Sequence, residues 1–245
     1  MLKLIRGEIY RLLHKKSMYI YFGVVAAGYF LIAFVRSGGF GEESLVKDAI
    51  NLFVAFPVLA GGFFFTAIYT DDLNSKNLIT LVGYGISKAK IMLAKFLLII
   101  MSGAAFFCLL PLFHYAVYAA LGCVATASQL VMIFAVSLKF LLMTLAFSAL
   151  SSIVVFGLQR TTFAVVTYLL LAFSVVGTLI TAISNVLELN LASHLASGIT
   201  DRILAGIISG GSLASLALPV AEYIAYVGIA SVLSAVAFYK KEMEF

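Results

Sequence analysis

The sequence carries little charge for its length. Of its 245 residues only 11% are charged, whereas 63% are hydrophobic. A soluble globular chain has about 25% charged and about 45–50% apolar residues. A soluble fold of this size cannot bury so much apolar surface, so the composition predicts that lipid surrounds most of the chain.

Motifs for nucleotide, metal and dinucleotide chemistry are missing. The sequence contains no G-x-x-x-x-G-K-[ST] loop, no H-E-x-x-H pair and no glycine-rich dinucleotide motif. Its three histidines lie in different segments, and its two cysteines, Cys108 and Cys123, lie in or beside an apolar run. We therefore predict that the chain is not an enzyme and holds no metal or cofactor. Tryptophan is also absent, which leaves tyrosine to supply aromatic anchors at the headgroup level.

Six apolar segments are long enough to cross a bilayer, for which a helix needs about 20 residues. They predict an all-α, polytopic membrane protein with one transmembrane domain over residues 1–245, because no loop could form a soluble core. Pro57 and Pro111 predict kinks, which are tolerated where neighbouring helices satisfy the freed carbonyls. The predicted spans are Met18–Val35, Ala49–Tyr69, Phe96–Leu121, Leu130–Gly157, Phe163–Ser184 and Val220–Tyr239.

Lysine and arginine are distributed unevenly between the two sides that these spans define. Twelve lie on the side of both termini, Arg36, Lys47 and Arg202 lie on the other side, and Lys139 falls within the fourth span. Because cytoplasmic loops carry the excess of basic residues, we expect both termini in the cytoplasm. The net charge of +5 is then explained by the inner membrane face and implies no nucleic acid.

Residues 1–17, MLKLIRGEIYRLLHKKS, form an amphipathic N-terminal arm. Apart from Leu4, its apolar side chains fall within an arc of about 100° on a helix, and apart from Lys16, its basic side chains lie outside that arc. We expect an elbow helix lying flat on the inner leaflet, with its basic face attracted to anionic lipid. The alternative is a short basic flank that only orients the first span. The residues of the expected elbow are Leu2, Ile5, Arg6, Ile9, Arg11, Leu12, Leu13 and Lys15.

The stretch YTDDLNSKNLITLVGYGISKAKI, residues 69–91, interrupts the apolar sequence between the second and third spans. Thr70 or Asp71 can begin a short helix, Gly83 and Gly85 can end it, and Ser87 can cap the next helix. A simple hairpin between helices needs only about 2–8 residues. The 70–90 segment therefore predicts a cytoplasmic helix and turn that contact a partner.

In this stretch the chain resembles ABC transporter permeases of the second exporter class (ABC-2 type). Many members have an acidic residue after the second span, a short helix with leucines, a turn, a Ser-Arg or Ser-Lys step, an isoleucine and a lysine. The glycine turn is similar to that of bacterial peptide and lantibiotic exporters and immunity permeases. The chain departs from the family in having Asp for the commoner Glu, and Lys76-Asn77 where Gly-Thr is usual. The matching positions are Asp71 or Asp72, Leu78, Leu81, Gly85, Ile86, Ser87, Lys88, Ile91 and Lys95.

The resemblance implies a permease subunit of an ATP-driven exporter in the bacterial cytoplasmic membrane. It implies a dimer with a second copy or a sibling permease, and a separate ATPase subunit that binds ATP and magnesium. The cargo would be a hydrophobic or amphipathic molecule such as a small peptide toxin or lantibiotic. The alternatives are an ATP-independent channel or secondary carrier, and an immunity protein that transports nothing. The residues implied in ATPase coupling are Asp71, Asp72, Lys76, Leu78, Leu81, Gly83, Gly85, Ser87, Lys88 and Lys95.

Residues 185–218, between the fifth and sixth predicted spans, are half apolar and contain the break Gly210-Gly211. In the family, re-entrant helices at this place close the outer exit, and we expect such helices here; the alternative is an amphipathic loop on the surface. Ionisable residues at membrane depth are rare and often functional. One option is an ion pair between Glu222 and Lys139. The candidate residues for a substrate path or outer gate are Phe53, Phe56, Phe64, His114 and Glu222.

Overall fold

The computed structural model describes residues 2–36, 42–74, 77–188 and 191–240. Within these ranges the chain is helical, and none of it forms a β-strand. Two π-helical turns, Pro57–Gly61 and Thr66–Thr70, flank α4. The α-helices are α1 (Leu2–Leu13), α2 (Lys16–Arg36), α3 (Glu42–Phe53), α4 (Gly62–Phe65), α5 (Asp71–Asn74), α6 (Asn77–Gly83), α7 (Lys88–Ala120), α8 (Ala127–Leu158), α9 (Thr161–Ala172), α10 (Val175–Val186), α11 (Ala196–Ile208) and α12 (Leu213–Lys240).

Five helical segments of the described ranges are long and apolar enough to cross a membrane. The bent pair of α9 and α10 brings the number to six if the pair counts as one span. The all-α class is therefore confirmed, and the apolar helices suit a multi-pass membrane protein. The five segments are Lys16–Val35, Leu45–Leu73, Lys88–Ala120, Ala127–Leu158 and Ala214–Lys240.

The fifth predicted span is not one continuous helix. It breaks between α9 and α10, which meet at a bend of 56°. Ser174 adopts the left-handed conformation at the break, with φ 58°. Its N–H donates to the carbonyl of Leu171 at 2.9 Å, so the backbone closes a tight turn there instead of continuing the helix. The apolar sequence from Phe163 to Ser184 gives no sign of this turn, because it contains no proline and its only glycine lies beyond the break.

In the second predicted span, helix α3 ends at Phe53, and the span continues from Pro57 through the two π-helical turns. Tyr168 of α9 donates its hydroxyl to the carbonyl oxygen of Pro57 at 2.7 Å. The approach requires glycine at position 61, because a Cβ on Gly61 would lie 2.1 Å from the Tyr168 hydroxyl oxygen. Tyr168 therefore ties α9 to an irregular part of span two.

Helix α7 continues through Pro111. Proline lacks an N–H, so the carbonyl four residues earlier, that of Phe107, loses its partner in the helix. The hydroxyl of Ser137 in α8 donates to that carbonyl at 2.5 Å. The neighbouring helix thus satisfies the carbonyl, which is the condition under which proline is tolerated in a spanning helix.

Helix α8 is the centre of the bundle and packs against α3, α7, α9, α11 and α12. Between α10 and α12, the 13-residue helix α11 packs against both α8 and α12. It ends at the predicted glycine break, where Gly210 has φ 64°. Helix α12 begins at Leu213, so the last residues of the predicted 185–218 region belong to that helix; residues 189–190 lie outside the described ranges.

Candidate functional site

One end of the bundle collects the basic elements of the chain, and we refer to it as the basic end. Helix α1, the short helices α5 and α6, and the first turns of α7 meet there. The last turn of α12 joins them, because Lys88 Nζ donates to the carbonyl of Phe238 at 3.0 Å. The N-terminal arm, the 70–90 segment and the end of the last helix are therefore neighbours in space.

Four ionisable side chains form a charge cluster at this end: Glu8 and Arg11 of α1, Asp72 of α5 and Lys95 of α7. Asp72 lies between the other helices and forms ion pairs with both Arg11 and Lys95. Glu8 completes the cluster, with its carboxylate 3.1 Å from Lys95 Nζ and 2.7 Å from Arg11. Two acids and two bases make the cluster neutral, so three separate elements are joined by balanced charges.

Three of the four side chains of the charge cluster are almost completely removed from solvent. The side chains of Asp72, Lys95 and Glu8 are 0%, 2% and 6% exposed, whereas Arg11 is 36% exposed. Charged groups are buried at this level only when they are paired. Burial acts to lower the pKa of Arg11, but the carboxylates of Asp72 and Glu8 outweigh it and hold that pKa above its ordinary value.

Glu8 is the member of the cluster that sequence reasoning missed. It is the only acidic residue among the first 41 residues, in an otherwise basic arm. On a helix it lies at the edge of the apolar arc, next to Leu12 and Ile5. An isolated carboxylate beside an apolar face was a signal that a buried cation would be its partner.

The 70–90 segment joins the charge cluster to the surface of the protein. After α6, Gly85 adopts the left-handed conformation with φ 77°. The N–H groups of Gly85 and Ile86 donate to the carbonyls of Val82 and Leu81 at 2.9 and 3.2 Å, which is a Schellman motif. Tyr84, within this turn, is 81% exposed. The turn thus presents a large aromatic side chain from a backbone fixed by two hydrogen bonds.

Comparisons with family models, curated proteins and solved structures found no match for this chain. The resemblance to ABC-2 permeases therefore rests on the sequence motif between Asp71 and Lys95 and on the predicted arrangement of the spans. Within the described ranges, no three His, Cys, Asp or Glu side chains come close enough to hold a metal ion.

The other residues predicted for ATPase coupling lie around the turn. Leu78 is buried and Leu81 packs against the core, while Gly83 and Ser87 are exposed. Ser87 occupies the N-cap position of α7, but its side chain makes no capping hydrogen bond. Asp71 pairs with Lys15 of the N-terminal arm. Lys76 lies outside the described residues.

The apolar residues of the N-terminal arm differ in how deeply they are buried. Leu12 is buried, and Ile5 and Ile9 pack against the core. Leu13, predicted for the same face, is half exposed, and Arg6 is exposed. The side chain of Leu2 lies outside the described residues. Helix α1 therefore packs one edge of its apolar face against the protein.

Four of the five candidate path residues meet in one aromatic group away from the basic end. Phe53, Phe56, Phe64 and His114 are all buried. His114 lies with Nε2 3.0 Å from the carbonyl of Leu45, and its Nδ1 contacts the hydroxyl of Tyr29. A cavity of about 220 Å³ lies beside this group and is lined by Phe22, Val25, Ala26, Tyr29, Phe56, Phe106, Leu109, Leu110 and Phe113.

Glu222 lies apart from the aromatic group and does not pair with Lys139. It forms an ion pair with Arg202 of α11, while Lys139 pairs with Asp201 of the same helix at 2.5 Å. Arg202 also donates to the carbonyl of Ser193 at 3.0 Å. Two consecutive residues of α11 thus bind the helix to α12 and α8, and neither partner could be chosen from the sequence alone.

Proposed function

We propose that this chain is the membrane subunit of an ATP-driven ABC exporter in the bacterial cytoplasmic membrane. The observation that carries the proposal is Asp72, which pairs with Arg11 and Lys95 and so joins the 70–90 segment to α1 and α7. A push on this segment reaches both helices through one buried carboxylate. The separate ATPase subunit would bind ATP and magnesium on the cytoplasmic side, where we expect the segment from the bias of Lys and Arg.

The buried charges give the segment a way to pass on movement. Asp72 is completely buried, so a shift of α5 that carried neither Arg11 nor Lys95 with it would leave a buried carboxylate unpaired. An unpaired buried charge costs several kcal/mol, of the order of 3–5. Closure of two ATPase subunits would therefore tip α7 together with the segment, and the bundle would open toward the other side by alternating access.

This arrangement changes the role that we give to the aspartates. Their carboxylates are engaged within the chain, Asp71 with Lys15 and Asp72 with Arg11 and Lys95. In the proposal they transmit the movement, and the exposed turn around Tyr84 meets the ATPase. Tyrosine is among the residues that most often dominate the binding energy of an interface.

The cargo in this proposal is a hydrophobic or amphipathic molecule such as a small peptide. The aromatic cavity beside Phe56 and Phe106 has an apolar lining and would suit such a molecule. The functional unit would contain two permeases, either two copies of this chain or this chain with a sibling. Glu222 and Arg202 would belong to the outer gate, where they fix α11 to α12.

The test is purification of the tagged chain from its own cells in mild detergent. We expect an ATPase subunit with a phosphate-binding loop to co-purify, and ATP depletion to stop export. Tyr84→Ala should weaken this association about 30-fold, as for an interface residue worth about 2 kcal/mol. Tyr239→Ala is the matched control, since Tyr239 is 62% exposed on the last helix and lies outside the segment.

Two results would contradict the proposal. One is that no ATPase co-purifies with the tagged chain and export continues without ATP. The other is equal ATPase binding by the wild type and the Tyr84 variant. Asp72→Lys is a poor test of ATPase binding. It would leave three cations with Glu8 as their only acidic partner, and the resulting repulsion would destabilise the protein itself.

One observation favours a secondary carrier as the second candidate function. His114 is buried within a predicted span and contacts Tyr29, and its ring lies 4.5 Å from that of Tyr118, which donates to Asp48 at 2.8 Å. Ionisable groups at membrane depth are typical of proton-coupled carriers. A carrier would lose export when a protonophore collapses the gradient at constant ATP, and His114→Gln would abolish that sensitivity.

A further inference from the structure

A cleft of about 400 Å³ lies between α7 and α12, and none of the residues of the aromatic group lines it. Leu93 of α7 is half exposed and Ile224 of α12 is 64% exposed, so the cleft is open to the surroundings of the protein. Along α7 it extends from Met92 to Ile100, which is about 12 Å of helix. Its shape is that of a slot parallel to two spanning helices.

The lining of the cleft is suited to hydrocarbon. Phe96, Val227 and the other apolar side chains form most of it. The hydroxyl oxygens of Ser152 and Ser234 lie 2.7 Å apart, and each also lies within hydrogen-bonding distance of a carbonyl of its own helix. An apolar occupant therefore leaves neither hydroxyl without a partner.

Two lysines lie one turn from the cleft, toward the basic end. Lys88 precedes Met92 by four residues and Lys90 precedes Leu93 by three, so each lysine neighbours a lining residue on the helix surface. Lys88 Nζ also contacts the carbonyl of Phe238, which places its charge where α7 and α12 meet. Positive charge thus lies at one end of an apolar slot.

We propose that the cleft binds an anionic phospholipid, with one acyl chain between α7 and α12 and the phosphate at Lys88 and Lys90. Basic pockets between membrane helices are typical sites for anionic headgroups. The positive charge favours an anionic headgroup. The slot, about 12 Å long along α7, favours an acyl chain that lies parallel to the helices. The site depends on neither the ATPase nor the cargo of the proposed exporter.

Gly228 allows the acyl-chain site to be filled without disturbing the fold. It lines the cleft, and no described atom lies within 4 Å of the place where its Cβ would be. We expect Gly228→Phe to lose the phospholipid that the wild type retains through detergent purification, as measured by native mass spectrometry. Ile229→Phe is the matched control, because Ile229 is 62% exposed and is not part of the lining.

The headgroup is tested in nanodiscs that contain equal amounts of phosphatidylglycerol and phosphatidylcholine. The wild type should retain phosphatidylglycerol preferentially, and Lys90→Gln should reduce that preference about fivefold. Lys240→Gln is the charge-matched control, since Lys240 lies about 180° around α12 from the lining residue Ser231. We expect it to leave the preference unchanged.

Each contrary result overturns a stated part of the proposal. Equal retention by Gly228→Phe and Ile229→Phe would exclude a chain in the cleft. Equal binding of the two lipids, or equal effects of Lys90→Gln and Lys240→Gln, would exclude the headgroup site. Displacement of the lipid by millimolar inorganic phosphate would point to a free anion site, and a changed dimer mass with unchanged lipid would point to a second copy in the cleft.

Discussion

Removal of the ammonium group of Lys95 is the most direct perturbation of the charge cluster. In Lys95→Met the carboxylates of Glu8 and Asp72 remain buried with only Arg11 to neutralise them. At an effective dielectric constant of about 20, unit charges separated by the 3.1 Å between Lys95 and Glu8 attract each other by about 5 kcal/mol. The variant no longer has to desolvate the ammonium group, which offsets part of this loss. We expect a net decrease of about 3–5 kcal/mol in the free energy of unfolding.

The measurement is equilibrium unfolding in mixed micelles of mild detergent and dodecyl sulfate, followed by the loss of helical circular dichroism. Lys90→Met is the control for the substitution itself. Lys90 lies on the same helix but is exposed, and an exposed charge contributes about 0–1 kcal/mol. The double variant Lys95→Met with Glu8→Gln should recover most of the loss, because Arg11 and Asp72 then form a neutral pair.

The reasoning fails if Lys95→Met and Lys90→Met lose similar stability. It also fails if adding Glu8→Gln to Lys95→Met brings no recovery, because Glu8 would then not be paired with this lysine. A large loss with recovery supports a neutral cluster whose members depend on one another, which double-mutant analysis separates from independent effects.

Two further predictions concern contacts between the spanning helices. Gly61→Ala should destabilise the protein by about 1–3 kcal/mol, because the new Cβ overlaps the hydroxyl of Tyr168, and Tyr168→Phe should relieve part of this loss in the same unfolding assay. Ser137→Ala should cost about 1–3 kcal/mol, because it leaves the carbonyl of Phe107 without a donor. The cost should be smaller in a Pro111→Ala background, in which the helix regains its own N–H.

Each of these pairs has a result that would contradict it. An alanine at position 61 that is equally tolerated with tyrosine and with phenylalanine at position 168 would mean that the two helices do not approach as described. Equal costs of the serine substitution with and without the proline would mean that the hydroxyl does not replace the missing donor.

Local sequence patterns predicted those features that depend on interactions between residues close together in the chain. A run of about 20 apolar residues has few alternatives to a spanning helix, and most spans therefore lie close to their predicted positions. The turn at Gly85 was predicted for a similar reason, since a left-handed residue after a helix is usually glycine.

The pairing within the charge cluster could not be predicted, because it depends on tertiary structure. Arg11 and Asp72 are 61 positions apart in the chain, and no spacing rule relates them. The partners of Lys139 and Glu222 were missed for the same reason. No glycine or proline precedes the break at Ser174. The local sequence therefore favoured a continuous helix, whereas the structure has a bend.

The two π-helical turns in span two have a consequence for rotational phase. Each contains about one residue more per turn than an α-helix, which offsets the following residues by about 100° around the axis. Asp72 lies two residues beyond the second π-turn, so the direction in which its carboxylate points is set by the number of residues between it and Phe53. Deleting a single residue from either turn would change none of the side chains of the charge cluster, yet it would rotate Asp72 away from Arg11 and Lys95. In this span, chain length is therefore as strict a constraint on the cluster as residue identity.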